Sequence, residues 1–318
     1  MALKKTISSM VLLTILFAAA CVPAGSAARE TQMKVIAVES FLTDIAQNIA
    51  GDRLQVETLM SPGLDPHSYE PSPRDLARVN DSDLLILNGA GFEAWFENIL
   101  QTLPPTLMVV EASHGLPGRT APEAVEEDDH HEGQEGHGHD HEIDPHFWLN
   151  PLLVIKYVEN IGDAFIQLDP QGAADYQANA DIYIQKLKDL DQEIQEKFKK
   201  IPAEKKVIIS NHESFGYFAD QYGFTIAGTI LHSVSTASSP SAQQMVYLIE
   251  KIKSENVQAI LLELGANTQL AQQLHEETGV KVVTDLYTHS ISPADGPAPS
   301  YIDLMRYNVD QIVMALGN

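Results

Sequence analysis

Residues 173–200 keep a helical period without a break. Apolar side chains fall at Tyr176, Ala180, Tyr183, Leu187, Leu190, Ile194 and Phe198, always three or four positions apart. That spacing is one face of an α-helix. At 1.5 Å per residue such a helix is about 40 Å long. On both sides of it, short apolar runs alternate with amphipathic segments. A bundle would continue with more helices, whereas this chain returns at once to strands. The long helix therefore reads as a spine between two α/β halves.

In the first half, strands are predicted at 33–38, 55–60, 84–88 and 107–111, with helices at 41–50, from Ser72-Pro73, at 92–102 and at 151–168. Gly51 stops the first helix, and Ser72 with Pro73 has the form of a capped helix start. In the second half, strands are predicted at 206–210, 224–229, 259–263 and 281–284, with helices at 214–222, 241–255, 268–278 capped by Thr268, and 301–316. The expected fold is α/β: two Rossmann-like lobes, each with a four-stranded, mostly parallel sheet, joined by one long linker helix. The expected boundaries are 30–170 for the first lobe, 171–202 for the linker and 203–318 for the second lobe. No internal sequence repeat is evident.

Residues 1–28 are read as an export signal. Lys4 and Lys5 precede an apolar run at 10–20, and small residues follow. The run is shorter than the roughly 20 residues a membrane span needs. The chain's one cysteine, Cys21, follows three alanines, as in a bacterial lipoprotein box, although Ala18 stands where that box usually has Leu. The alternative is cleavage after Ala27 or Ala28. The expected location is extracytoplasmic, in the periplasm or on the outer face of the membrane, lipid-anchored if Cys21 is modified. A single cysteine rules out an intrachain disulfide and a multi-thiolate zinc site.

The formal net charge is −24, which argues against nucleic acid and anionic membranes as partners. Ten of the carboxylates lie in residues 123–144, together with His130, His131, His137, His139 and His141. This stretch has almost nothing apolar to bury, and is read as a loop that collects metal loosely through neutral imidazoles.

Four isolated histidines differ in kind. His67 lies in Asp65-Pro66-His67 after the second strand, and His146 in Asp144-Pro145-His146 after the acidic loop. His212 and His289 follow the first and last strands of the second half. Any one of them alone reads as an ordinary hydrogen-bonded histidine. As a set, three follow strand carboxyl ends, where open α/β sheets bind ligands, and two belong to each half. In both Asp-Pro-His segments proline fixes the backbone before the histidine, and the aspartate is placed to hold the second ring nitrogen. His114, His232 and His275 have weaker settings.

At these residues the chain resembles the zinc- and manganese-specific solute-binding proteins of ABC importers, the ZnuA/TroA-like cluster. The resemblance rests on the segment from Pro62 through Asp65-Pro66-His67 to Ser72, and on Asp144-Pro145-His146-Phe147-Trp148-Leu149. It rests also on His212 with Phe215-Gly216-Tyr217-Phe218, on Ser239-Pro240-Ser241 and on residues 301–308. It implies a metal site between the lobes with His67, His146 and His212 as ligands. The fourth position, usually a carboxylate in that family, falls on His289, with Asp285 as the fallback. It implies zinc as the cargo, a permease and its ATPase as partners, a monomer, and no enzymatic activity. Manganese or iron is the alternative within the family. A zinc-dependent hydrolase using Glu213 or Asp285 as base is a second alternative, although the chain lacks His-Glu-x-x-His.

Overall fold

The computed structural model describes residues 33–120, 143–231, 233, 236 and 241–317. The export signal with Cys21, the five loop histidines, His232 and Ser239-Pro240 lie outside the described residues. In the first half, β1 (Val35–Ala37), β2 (Val56–Thr58), β3 (Leu84–Leu87) and β4 (Met108–Glu111) form a parallel sheet in the order β2-β1-β3-β4. A two-stranded antiparallel ribbon follows, β5 (Arg119–Thr120) with β6 (Ile143–Asp144). In the second half, β7 (Val207–Ser210), β8 (Thr225–Thr229), β9 (Ala259–Glu263) and β10 (Lys281–Leu286) form a parallel sheet in the order β10-β9-β7-β8.

The two sheet orders are the same when each half is counted from its own first strand: second, first, third, fourth. Each half thus has a switch point between its first and third strands, the place where open parallel sheets leave a crevice for a ligand. In the second half that point lies between Ser210 and Glu263, one strand end away from His212. The halves repeat in topology although the sequence shows no repeat.

The helices are α1 (Ser40–Ala50), α2 (Pro73–Asn80), α3 (Glu97–Leu100), α4 (Pro151–Leu168), α5 (Ala173–Phe198), α6 (Gly216–Tyr222), α7 (Ala242–Ser254), α8 (Thr268–Thr278) and α9 (Tyr301–Leu316). The long α5 buries the seven apolar residues of the predicted stripe. It packs on α1 and α4 of the first half and on α9 of the second. Its buried Asp191 accepts hydrogen bonds from Gln221 and Tyr222 of α6.

One apolar core runs through both halves: Val35, Leu84 and Trp148 belong to it, and so do Leu187, Phe218, Leu261 and Tyr301. Alternate strand residues face the other way, into smaller clusters such as Ile36, Val38 and Leu85, or Ile209, Ile260 and Leu262. This is the period of two expected of strands covered on both faces.

Three local expectations change. The helix predicted at 92–102 is only a 3₁₀ turn at Ala94–Phe96 followed by α3. Gly89, Ala90 and Gly91 all have positive φ (84°, 54° and 76°), so the chain doubles back before a helix can start. The cap of α8 is Asn267, whose side chain accepts from Gln269 N at 2.9 Å; Thr268 is already helical. The last strand runs on to Leu286 through a register shift after Val283, with Asp285 at φ 62°.

A buried pair, Glu39 and Glu93, sits at the switch point of the first sheet. Burial, then the neighbouring Glu93 carboxylate, pushes the Glu39 carboxyl well above its ordinary range. Burial pushes Glu93 up to about 7, although it accepts from the Asn88 and Gly89 backbone N–H groups. Groups raised in the folded state favour folding at pH below their unfolded values near 4.5, and that contribution is lost as pH rises through about 7. Glu39→Gln should therefore raise stability at pH 8 by on the order of 1 kcal/mol, and the gain should shrink toward pH 5. Urea unfolding of parent and variant at both pH values checks this. A variant less stable than its parent at pH 8 would refute it.

Candidate metal centre

His67 sits in a 3₁₀ turn, Pro66–Ser68, that follows β2. Asp65 caps the turn by accepting from His67 N at 3.0 Å, and Pro66 at the first position pre-sets its φ. Trp95 donates to the Pro66 carbonyl at 3.0 Å, which ties this turn to the segment carrying α3. The Phe92 ring stands edge-on to the His67 ring at 5.1 Å.

The same device recurs at His146. Asp144 Oδ1 accepts from His146 N at 3.0 Å and lies 2.8 Å from its Nδ1. The two aspartates differ in one respect. Asp144 holds its histidine's ring, as expected, whereas Asp65 Oδ2 is taken by the Thr236 hydroxyl. The ring of His146 packs against Trp148 at 5.1 Å, in the wall between the halves.

His212 follows β7 directly, and its Nδ1 lies 2.8 Å from Glu263 Oε1 at the end of β9. His289 lies three residues past β10. Its Nδ1 is 3.2 Å from the Thr288 hydroxyl and 3.4 Å from Glu263 Oε2. The loop carrying His289 is held by the other half: Trp148 Nε1 donates to Thr288 O at 2.6 Å, and Ile291 N donates to Ser40 Oγ at 3.1 Å.

All four rings turn toward one point. The ligand atoms of His67, His146, His212 and His289 all lie within 4.8 Å of one another. His146 Nε2 is 3.3 Å from His212 Nε2 and 3.4 Å from His289 Nε2. The His67 Nε2 is buried and has no hydrogen-bond partner among the described residues. Four nitrogens at the corners of a tetrahedron of zinc–nitrogen radius 2.0–2.1 Å stand about 3.3–3.4 Å apart.

The electrostatics suit a cation. Burial, then the neighbouring His212 imidazole, lowers His67 to about 4. The same two causes, in the same order, hold His146 well below its ordinary value. Burial does so for His289, against the pull of Glu263. These three rings are therefore neutral at pH 7 and offer lone pairs. Burial pushes Asp144 up to about 7. Burial acts on Glu263 in the same sense, but the His212 and His289 imidazoles and the hydrogen bonds from His212 and Asn211 outweigh it and hold its carboxyl well below the usual range.

The other sequence candidates stay outside this group. Asp285 is exposed, and its carboxylate accepts from the Thr284 hydroxyl at 2.7 Å. His114 is exposed, and His275 points its Nδ1 at the Val280 carbonyl at 2.7 Å. Glu213 is turned to Thr229, whose hydroxyl it accepts at 3.1 Å. The sequence reading missed Glu263. Its signal was a glutamate closing an otherwise apolar strand, Ala259–Glu263, at a switch point. Among the described residues no helix is long and apolar enough to cross a membrane.

Comparison with known proteins agrees with this geometry. Residues 35–315 match the family described as ZnuA, zinc-uptake complex component A, periplasmic. The iron-binding protein YfeA of Yersinia pestis is 32% identical over 288 residues, covering 90% of this chain and 87% of that protein. The manganese-binding lipoprotein MntA of Halalkalibacterium halodurans is 31% identical, covering 99% of this chain and 100% of that protein. Among solved structures, the periplasmic zinc-binding protein TroA of Treponema pallidum superposes with a TM-score of 0.78 at 27% identity, covering 90% of this chain and 99% of that one. A manganese-bound periplasmic metal-binding protein of Candidatus Liberibacter asiaticus gives 0.77 at 28% identity, covering 89% and 99%. A fold of two parallel four-stranded sheets with a histidine cluster between them, matched along nearly its whole length, places this chain in the ZnuA/TroA-like family of metal-binding periplasmic components of ABC importers, which carry metal and are not enzymes.

Proposed function

We propose that the chain captures zinc with His67, His146, His212 and His289 and delivers it to the permease and ATPase of its importer. The observation that carries this is the spacing of the Nε2 atoms, 3.3 and 3.4 Å around His146, which suits a tetrahedral ion with nitrogen ligands. Relatives are named for iron, manganese and zinc, so the donor atoms must decide the metal here. Manganese favours oxygen donors, and this group offers only imidazole nitrogen. Four protein ligands also leave no position for an activated water, which a zinc hydrolase needs.

A zinc titration with metal analysis tests the reading. One tight site is expected, weakened by His289→Ala and unaffected by Asp285→Ala. Loss on Asp285→Ala alone, or manganese held as tightly as zinc, would overturn it. The sequence supports two further parts of the proposal: metal collection by His130, His131, His137, His139 and His141, and lipid attachment at Cys21. The same titration with residues 128–142 deleted should lose the weak, additional zinc and keep the tight site.

A further inference from the structure

A histidine binds metal only as the neutral imidazole, so a set of histidine ligands brings no charge to the ion it holds. A dication among buried groups is costly unless negative charge lies close by. Glu263 supplies such a charge. It closes β9 at the switch point of the second sheet and is only 7% exposed. Its two oxygens are divided between two of the four histidines. Oε1 faces His212 Nδ1 at 2.8 Å and accepts from Asn211 Nδ2. Oε2 accepts from the Thr288 hydroxyl at 3.0 Å and lies 3.4 Å from His289 Nδ1. One carboxylate has lone pairs enough for all four neighbours.

A neutral imidazole carries one N–H. A carboxylate at Nδ1 draws that hydrogen to its own side and leaves the Nε2 lone pair free. For His212 and His289 this is the side facing the cluster. We propose that Glu263 is a positioning residue: it holds His212 directly, and His289 through the Thr288 hydroxyl that lies between them, in the metal-binding tautomer, and it places one negative charge behind both, in place of a carboxylate among the ligands. The inference rests on the four-histidine reading. It also sharpens the metal class. The charge acts through the rings, so the ion meets only nitrogen. Cations that favour imidazole, such as zinc, cobalt and nickel, keep the benefit, while those that need oxygen contact gain little.

The test compares the parent, Glu263→Gln, His289→Asp and the double variant. Zinc affinity is read by chelator competition, and thermal unfolding is read without metal. Gln has the same shape, but its amide group cannot accept from the Thr288 hydroxyl that links it to His289, and it carries no charge. Glu263→Gln should weaken zinc by about 10–100-fold, the usual loss for such outer partners, while the metal-free protein stays folded with a midpoint lowered only modestly by the lost buried hydrogen bond. In the His289→Asp background the same change should cost less than tenfold, because the charge then touches the metal and only His212 needs holding. Zinc affinity within twofold of the parent after Glu263→Gln would overturn the inference. So would an equal loss in both backgrounds with a matching fall in the metal-free midpoint, since Glu263 would then be a structural carboxylate. If the parent itself bound no zinc, the four-histidine reading would fail before any variant was compared.

Discussion

His146→Ala should abolish tight metal binding. His146 is the hub of the cluster: it is fully buried, and its Nε2 lies within 3.4 Å of the Nε2 atoms of His212 and His289. Structural zinc sites with four ligands contribute roughly 10–16 kcal/mol, so one ligand accounts for about 3 kcal/mol, or at least a hundredfold in affinity. Alanine also strips Asp144 of the ring it holds and leaves a buried carboxylate without that partner. Chelator competition would give the loss directly. Zinc-induced thermal stabilisation of the parent should vanish in the variant. An affinity within tenfold of the parent would mean that His146 is not a ligand.

The second large effect concerns the wall between the halves. Trp148→Ala should cost about 3–5 kcal/mol of stability, the usual range for removing a buried aromatic ring. Trp148 is fully buried, stacks on Phe41 of α1 at 4.5 Å and packs against Phe92 at 4.8 Å. Its Nε1 donates to Thr288 O, next to His289, and its own carbonyl accepts from the Tyr301 hydroxyl at 2.6 Å. Truncation would therefore open a cavity and also free the loop that carries His289. Urea unfolding with an unchanged m-value would report the first effect, and weaker zinc binding the second. Trp148→Phe separates them, since it keeps most of the ring and loses only the hydrogen bond to Thr288. A cost below about 1 kcal/mol for alanine would show that the core can collapse around the gap.

Much of this was readable in advance. The stripe from Tyr176 to Phe198 identified the spine because a buried helix face must repeat every three or four residues. His67 and His146 stood out because Asp-Pro-His is a local device: the proline and the capping aspartate act within three residues. Where the outcome depended on distant partners, the reading failed or stayed silent. The helix predicted at 92–102 gave way to a double-back at Gly89–Gly91, and the two aspartates of the Asp-Pro-His segments took different partners, His146 in one case and Thr236 in the other.

Periodicity and short-range chemistry in the chain were enough for the alternating strands and helices, the spine, and three strand-end histidines. They could not bring those histidines together. His67 and His289 are more than two hundred residues apart, and their approach depends on two sheets with the same strand order facing across one shared core. Only the tertiary structure decided that His289 and not Asp285 joins the group, because the register shift after Val283 turns Asp285 outward while Trp148 of the other half holds the loop beyond it. Glu263 likewise became part of the site through strand neighbours 51 residues apart, a pairing set by packing that local sequence does not encode.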